Sequence, residues 1–172
     1  MRTIDIEIKT VDFREENKVS FDTMVFIDLV LTEEVRMKLL EEWKDMLKKT
    51  KFYVSSKVIN ETFGVMVAKL GVDWADAKDK IKRVKETLNI QELEYNKNMD
   101  NKAGFQLFKK YREKYGDVDI SEHINDGRII AHLKREGINV VYSHEELVRR
   151  LAGLTGIESR KFILGKVHQK SR

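Results

Sequence analysis

In the first part of the chain the hydrophobic pattern changes period, and each change marks an element. Ile4, Ile6 and Ile8 alternate with Asp5 and Glu7, the two-residue period of a strand with one wet face, and the polar run Arg14 to Lys18 turns the chain. An N-terminal strand or hairpin is therefore expected. Val19 and Phe21 keep the strand period up to Asp22, after which Val25, Phe26, Leu29 and Val30 fall at helical spacing. An acid thus stands at a strand-to-helix turn, where side chains of an open α/β sheet can meet a ligand. Thr32, Glu33 and Glu34 open a second helix, with its acids near the positive end of the dipole. Its apolar stripe is Val35, Leu39, Leu40, Trp43, Met46 and Leu47.

Phe52 to Val54 is too short for a helix and rich in strand formers, and Ser55 or Ser56 can cap the helix that follows. That helix runs to about Leu70, carries Glu61 on its second turn and stops at Gly71. Asp73 and Asp76 open the next, with Trp74, Ala77, Ile81, Val84 and Leu88 as its apolar set. Both tryptophans, Trp43 and Trp74, lie among aliphatics at helical spacing and read as core. Ile90 to Tyr95 fits either state. Lys102 to Tyr115 reads as a helix closed by Gly116, Asp117 to Ile124 as an acidic loop, and Asp126 as the cap or first turn of a helix ending at Gly137. Ile138 to Tyr142 is a strand, and Ser143 with Glu146 has the spacing of a capping box for the last helix. Strands alternating with helices, without an internal repeat, predict an α/β fold with a mainly parallel central sheet flanked by helices on both faces.

Composition narrows the possibilities. A chain of 172 residues with 41% hydrophobic content can bury one sizeable core. Its 33 basic and 29 acidic residues nearly balance at +4, so net charge alone does not argue for nucleic acid; a local basic face would have to. The absence of Cys excludes disulfides, thiolate metal sites and cysteine nucleophiles, and leaves oxygen and imidazole as metal ligands. The N-terminus has acids where a signal peptide needs an apolar core, and no apolar run approaches the roughly 20 residues of a membrane span. The expectation is a soluble cytoplasmic protein with no membrane partner. A nucleotide-binding α/β protein lacks support, because neither a GxGxxG nor a P-loop sequence is present.

Three acids occupy comparable places: Asp22 after a strand, Glu61 in the helix after the next strand, and Asp126 at a helix entry before a late strand. Together they can form a site for a hard cation such as Mg²⁺ or Mn²⁺, which takes oxygen ligands and keeps several waters. With 29 acids many such triplets exist, and spacing alone leaves a cap or a solvated acid as the alternative at each.

Asp22, Thr23, Val25, Ile27, Asp28 and Leu29 resemble the opening signature of the PIN-domain nucleases. Glu61 in SSKVINETF matches the second acid of that family, and Asp126, Ile129, Ala131, Gly137, Val140 and Val141 match its third motif. By size the similarity is to the VapC-like toxins within that family. The likeness implies residues 1–18 as an N-terminal extension, 19–156 as the PIN-like domain and 157–172 as a basic C-terminal tail. It further implies a metal-dependent ribonuclease acting on single-stranded RNA, as a toxin or a processing enzyme, with Asp22, Glu61 and Asp126 holding Mg²⁺ or Mn²⁺. An antitoxin protein and a homodimeric state follow from the same likeness. The family's last strand is usually followed by Thr, one residue and a fourth Asp. Ungapped, those places fall on Tyr142 and His144; shifted by one residue they fall on Ser143 and Glu145, which makes Glu145 the fourth candidate ligand. Its departure from Asp keeps open a second reading, a PIN-like RNA-binding or assembly protein with impaired catalysis. Lys57, Arg128, Arg149 and Arg150 are the candidates to offset repulsion between clustered acids and RNA, and the tail cations Arg160, Lys161, Lys166, Lys170 and Arg172 can reach phosphates.

Overall fold

The computed structural model describes residues 16–162. Five strands form one parallel sheet in the order β3-β2-β1-β4-β5: β1 Asn17–Phe21, β2 Thr50–Ser55, β3 Gln91–Leu93, β4 Val140–Tyr142 and β5 Glu158–Arg160. Seven α-helices flank it among the described residues: α1 Thr23–Leu31, α2 Glu33–Trp43, α3 Ser56–Ala68, α4 Trp74–Thr87, α5 Lys97–Tyr115, α6 Ile120–Arg135 and α7 Glu146–Thr155. The chain adds strands outward from β1 to β3, then returns to the other side of β1. Because parallel crossovers are right-handed, that reversal sends the helices before β3 to one face and those after it to the other. Accordingly α1 packs on α3 and α4, whereas α5, α6 and α7 pack on one another.

The reversal also sets the central pair. Val19 is aligned with Val140 and Phe21 with Tyr142. Val19, Ser20 and Phe21 are all fully buried, as a strand covered on both faces must be. Phe21 and Tyr142 stack at 5.9 Å, Tyr142 and Phe162 at 4.4 Å, and the Tyr142 hydroxyl satisfies its polarity by donating to Glu42 Oε1 (2.8 Å) while accepting from Trp43 Nε1 (2.9 Å). Trp43 is core, as its spacing predicts.

Several boundaries differ from the sequence reading. The expected N-terminal strand or hairpin lies outside the described residues up to position 15, and Asn17 and Lys18 already belong to β1. Helix α5 starts at Lys97, five residues earlier than its aromatic spacing implied. The acidic stretch before Asp126 is the first part of α6, whose N-cap is Asp119: its carboxylate accepts from Ser121 N at 3.0 Å. Asp126 is therefore not a cap but an interior residue of the second turn. The capping box of Ser143 and Glu146 does not form; Glu145 is the N-cap of α7, and Ser143 Oγ takes the Glu145 N–H at 3.1 Å. Trp74 is 56% exposed rather than core, set edge-on to Phe63 at 5.6 Å, because it is the first residue of α4 and points past the packed face. Glu158–Arg160, placed by sequence at the head of the tail, is the edge strand β5.

Helices α5 and α6 approach closely at two glycines. A Cβ on Gly104 would stand 2.8 Å from the backbone of Arg128, and one on Gly127 would stand 2.4 Å from the Phe108 ring. No side chain fits at either point.

Candidate metal centre

The site forms where the strand order reverses, at the carboxyl ends of β1 and β4, the place where open α/β sheets bind ligands. Asp22 follows β1 directly. Its backbone N–H continues the ladder to Tyr142 O at 3.1 Å, and its carboxylate caps α1 by accepting from Val25 N at 2.9 Å. The side chain is only 5% exposed. Burial pushes its carboxyl up to about 7; hydrogen bonds from Ser143 and the Val25 N–H oppose the rise, and the charges of Glu145 and Asp126 add to it.

Glu61 reaches the same crevice from α3. Thr23, the first residue of α1, donates from Oγ1 to Glu61 Oε1 at 2.7 Å, and Lys57, one turn back on α3, lies 3.8 Å from Oε2. Asp126 comes from α6 on the opposite side. Burial, then the neighbouring charge of Glu145, pushes its carboxyl up to about 6; His123 opposes the rise through a contact of 3.3 Å, and Glu61 adds a smaller increment. Asp22 thus feels the charges of Glu145 and Asp126, and Asp126 those of Glu145 and Glu61, although the four acids come from four separate segments. The tightest grouping is His123, Asp126 and Glu145, with one ligand atom of each within 4.8 Å of the others. Asp22 and Glu61 join this group through their charge rather than at that spacing.

His123 was not anticipated from sequence. It stands three residues before Asp126, on one face of a helix, and the signal was available in HIND once that stretch is helical; reading it as a loop removed the spacing that gives it meaning. After β4 the shifted register is the one that faces the crevice. Ser143 is fully buried, hydrogen-bonds to Asp22 and holds the Glu145 N–H, whereas Tyr142 is in the core and the His144 ring lies 6.3 Å from Phe162. Asp28 sits further along α1, where its carbonyl takes the closing N–H of Thr32.

The donor set, carboxylate oxygens with one imidazole and no sulfur, fits a hard divalent ion. Among the described residues, neither Asp22 nor Asp126 is paired with a Lys or Arg, so the crevice concentrates negative charge that its own cations do not cancel.

Comparison with known proteins assigns the architecture. No protein-family model matches the chain. A chain of VapBC2 from Rickettsia felis, solved bound to a DNA fragment from its promoter, superposes with a TM-score of 0.61 at 12% identity, covering 85% of this chain and 99% of that one. VapC20 of Mycobacterium tuberculosis, described as a toxin that cleaves the sarcin-ricin loop, superposes with a TM-score of 0.53 at 13% identity, over 77% of this chain and 93% of that one. Ribonuclease Y of Campylobacter fetus is 25% identical over 148 residues, 70% of this chain but only 28% of that much longer protein. The fold is therefore PIN-like. Within that class, its structural likeness is to the VapC toxins, as the residues around Asp22, Glu61 and Asp126 led one to expect. No helix among the described residues is long and apolar enough to cross a membrane.

Proposed function

We propose that the protein is a metal-dependent ribonuclease, a VapC-like toxin or an RNA-processing enzyme, in which Asp22, Glu61, Asp126 and Glu145, with His123, hold Mg²⁺ or Mn²⁺. The observation that carries this reading is the convergence of acids from β1, α3, α6 and the β4–α7 turn on the switch-point crevice, without a basic partner for Asp22 or Asp126. An uncompensated cluster of this kind is unfavourable unless a cation resides there. When bound, such an ion polarises a phosphoryl oxygen, lowers the pKa of an attacking water and shields it from the phosphate charge. The chain's own residues have distinct tasks. Ser143 and the Val25 N–H fix the Asp22 carboxylate, Thr23 fixes Glu61, and His123 leans on Asp126. Fixed carboxylates need no rearrangement when substrate arrives.

The test is cleavage of mixed single-stranded RNA oligomers in Mg²⁺ or Mn²⁺ and in EDTA. Cutting that requires the metal supports the reading; binding without cutting in Mn²⁺ favours the catalytically impaired RNA-binding or assembly protein instead. Two partner proposals follow from the likeness to VapC. A small antitoxin encoded beside this protein should block the crevice, and light scattering should give the mass of a homodimer. A monomer at micromolar concentration would remove the second.

A further inference from the structure

Beside the acidic crevice, past Glu61, lies a separate cleft of about 400 Å³ lined by Lys57, Asn60, Tyr95, Lys97, Asn101 and Arg128. Its character is opposite to that of the crevice: three cations, two amides and an aromatic ring, with Glu61 alone as acid. Lys57 joins the two regions, since its Nζ is 3.8 Å from Glu61 Oε2 and 5.3 Å from the centre of the Tyr95 ring. Arg128 is short of partners. Among the described residues its buried Nε finds no hydrogen-bond partner, and its guanidinium otherwise reaches Asn125 Oδ1 alone, at the limit of 3.5 Å. Leaving a buried guanidinium N–H unsatisfied is costly, and a ligand oxygen would remove the penalty.

The cleft is also built rather than incidental. The turn carrying Tyr95 is clamped by Asp100, fully buried, whose carboxylate takes both Arg135 Nε and Nη2 at 2.9 Å and the Asn96 N–H at 2.8 Å. Arg135 also reaches Glu94 O at 3.4 Å, Ser56 Oγ accepts from Tyr95 N at 2.9 Å, and the Tyr95 hydroxyl donates to Asn101. From beneath, the His132 ring meets the Tyr95 ring edge to face at 5.4 Å. By contrast the cations on the far side of the crevice are occupied: Arg150 pairs with Glu146 at 2.8 Å and lies over Tyr115, and Arg149 donates to Ser143 O at 3.3 Å.

From these contacts we infer that this cleft is the subsite for the nucleotide adjoining the scissile bond, with Arg128 and Lys97 on its phosphate and the Tyr95 wall, flanked by Asn60 and Asn101, against its base. The strand then leaves the acids over α3 and α5, not over α7. The identity of the ligand as RNA rests on the nuclease reading above; the path of the strand does not depend on catalysis.

The experiment is fluorescence anisotropy of a labelled single-stranded RNA oligomer with the full chain in EDTA, where no cutting can occur, across a range of salt. Arg128→Gln and Lys97→Gln should each weaken binding about 5- to 10-fold and lower the salt slope by about 1, as loss of one phosphate contact requires. Tyr95→Ala should weaken it about 5-fold with the slope unchanged, the mark of lost base contact. Arg150→Gln should change neither quantity. Lys97 is exposed, so its variant reads the subsite even if Arg128→Gln fails to fold. The inference is overturned if wild type does not bind, if Lys97→Gln binds like wild type, if Arg150→Gln is as damaging as Arg128→Gln, or if inorganic polyphosphate competes as well as RNA. Should this pattern hold while no metal supports cutting, the nuclease reading fails and the cleft stands as an RNA-binding subsite on the same strand path.

Discussion

Asp22 and Asp100 are both buried aspartates, 5% and 0% exposed, yet their surroundings treat them in opposite ways. Burial alone would raise both. At Asp100 the Arg135 hydrogen bonds and the Asn96 N–H outweigh it and hold the carboxyl below the usual carboxylate range; at Asp22 nothing outweighs it, other acids add to it, and the carboxyl rises to about 7. The first is a structural charge, already neutralised where it stands. The second is an unfinished one. A buried carboxyl that gathers other acids and no Lys or Arg is a candidate ligand, and the pair shows that this fold can supply an arginine to a buried acid.

The comparison is broken most severely by Asp22→Asn, which keeps shape and deletes charge. RNA cleavage in Mn²⁺ should fall at least about a thousandfold, roughly 4 kcal/mol of barrier, with the circular dichroism spectrum unchanged; near-normal cutting would remove Asp22 from the site. Asp100→Asn should act on stability instead, lowering the urea-unfolding free energy by about 3 kcal/mol because Arg135 loses its partner. A loss confined to activity would mean that the two acids do not differ as described.

The same Asp22→Asn variant should be more stable than wild type in EDTA at pH 8, by on the order of 1–2 kcal/mol. A carboxyl whose folded-state pKa is raised stabilises the fold below its unfolded value of 3.8 and loses that contribution as pH rises through about 7. The gain should therefore vanish near pH 4, and a gain that persists there would point to packing. The smallest effect belongs to Glu145→Gln. Glu145 is exposed and lies beside Asp126, so its loss should reduce cleavage only about tenfold, roughly 1.4 kcal/mol; a drop matching that of Asp22→Asn would make it an equal ligand.

Much of this was legible in the residues, for physical reasons that also explain what was not. Val19 and Phe21 before Asp22, and the helical spacing after it, located the first acid because burial on both sides of that turn leaves a strong periodic signal. Glu61 was legible as an acid inside the helix after the second strand, and its match to the second acid of the PIN-domain pattern singled it out. Strands β3 and β5, reading QEL and ESR, carried no apolar alternation because they are edge strands in which no position is fully buried. Helix α6 begins in ISEHIND, where polar residues face the crevice, so the apolar stripe that announces a helix starts too late and His123 was lost with the turn that holds it. The Asp100–Arg135 clamp joins residues far apart in the chain, and nothing local in either segment announces it.

Asp126, Gly127 and Arg128 are consecutive, and Gly127 is the residue whose missing side chain lets α6 rest on Phe108. The acid on one side of it serves the crevice and the cation on the other lines the neighbouring cleft, so the two regions are geared through one contact that has no chemistry of its own. A methyl group there would swing both at once. A substitution that shifts the basic cleft therefore disturbs the acids as well, and a survey of damaging changes should collect Gly127 and Gly104 beside the carboxylates although neither carries a side chain.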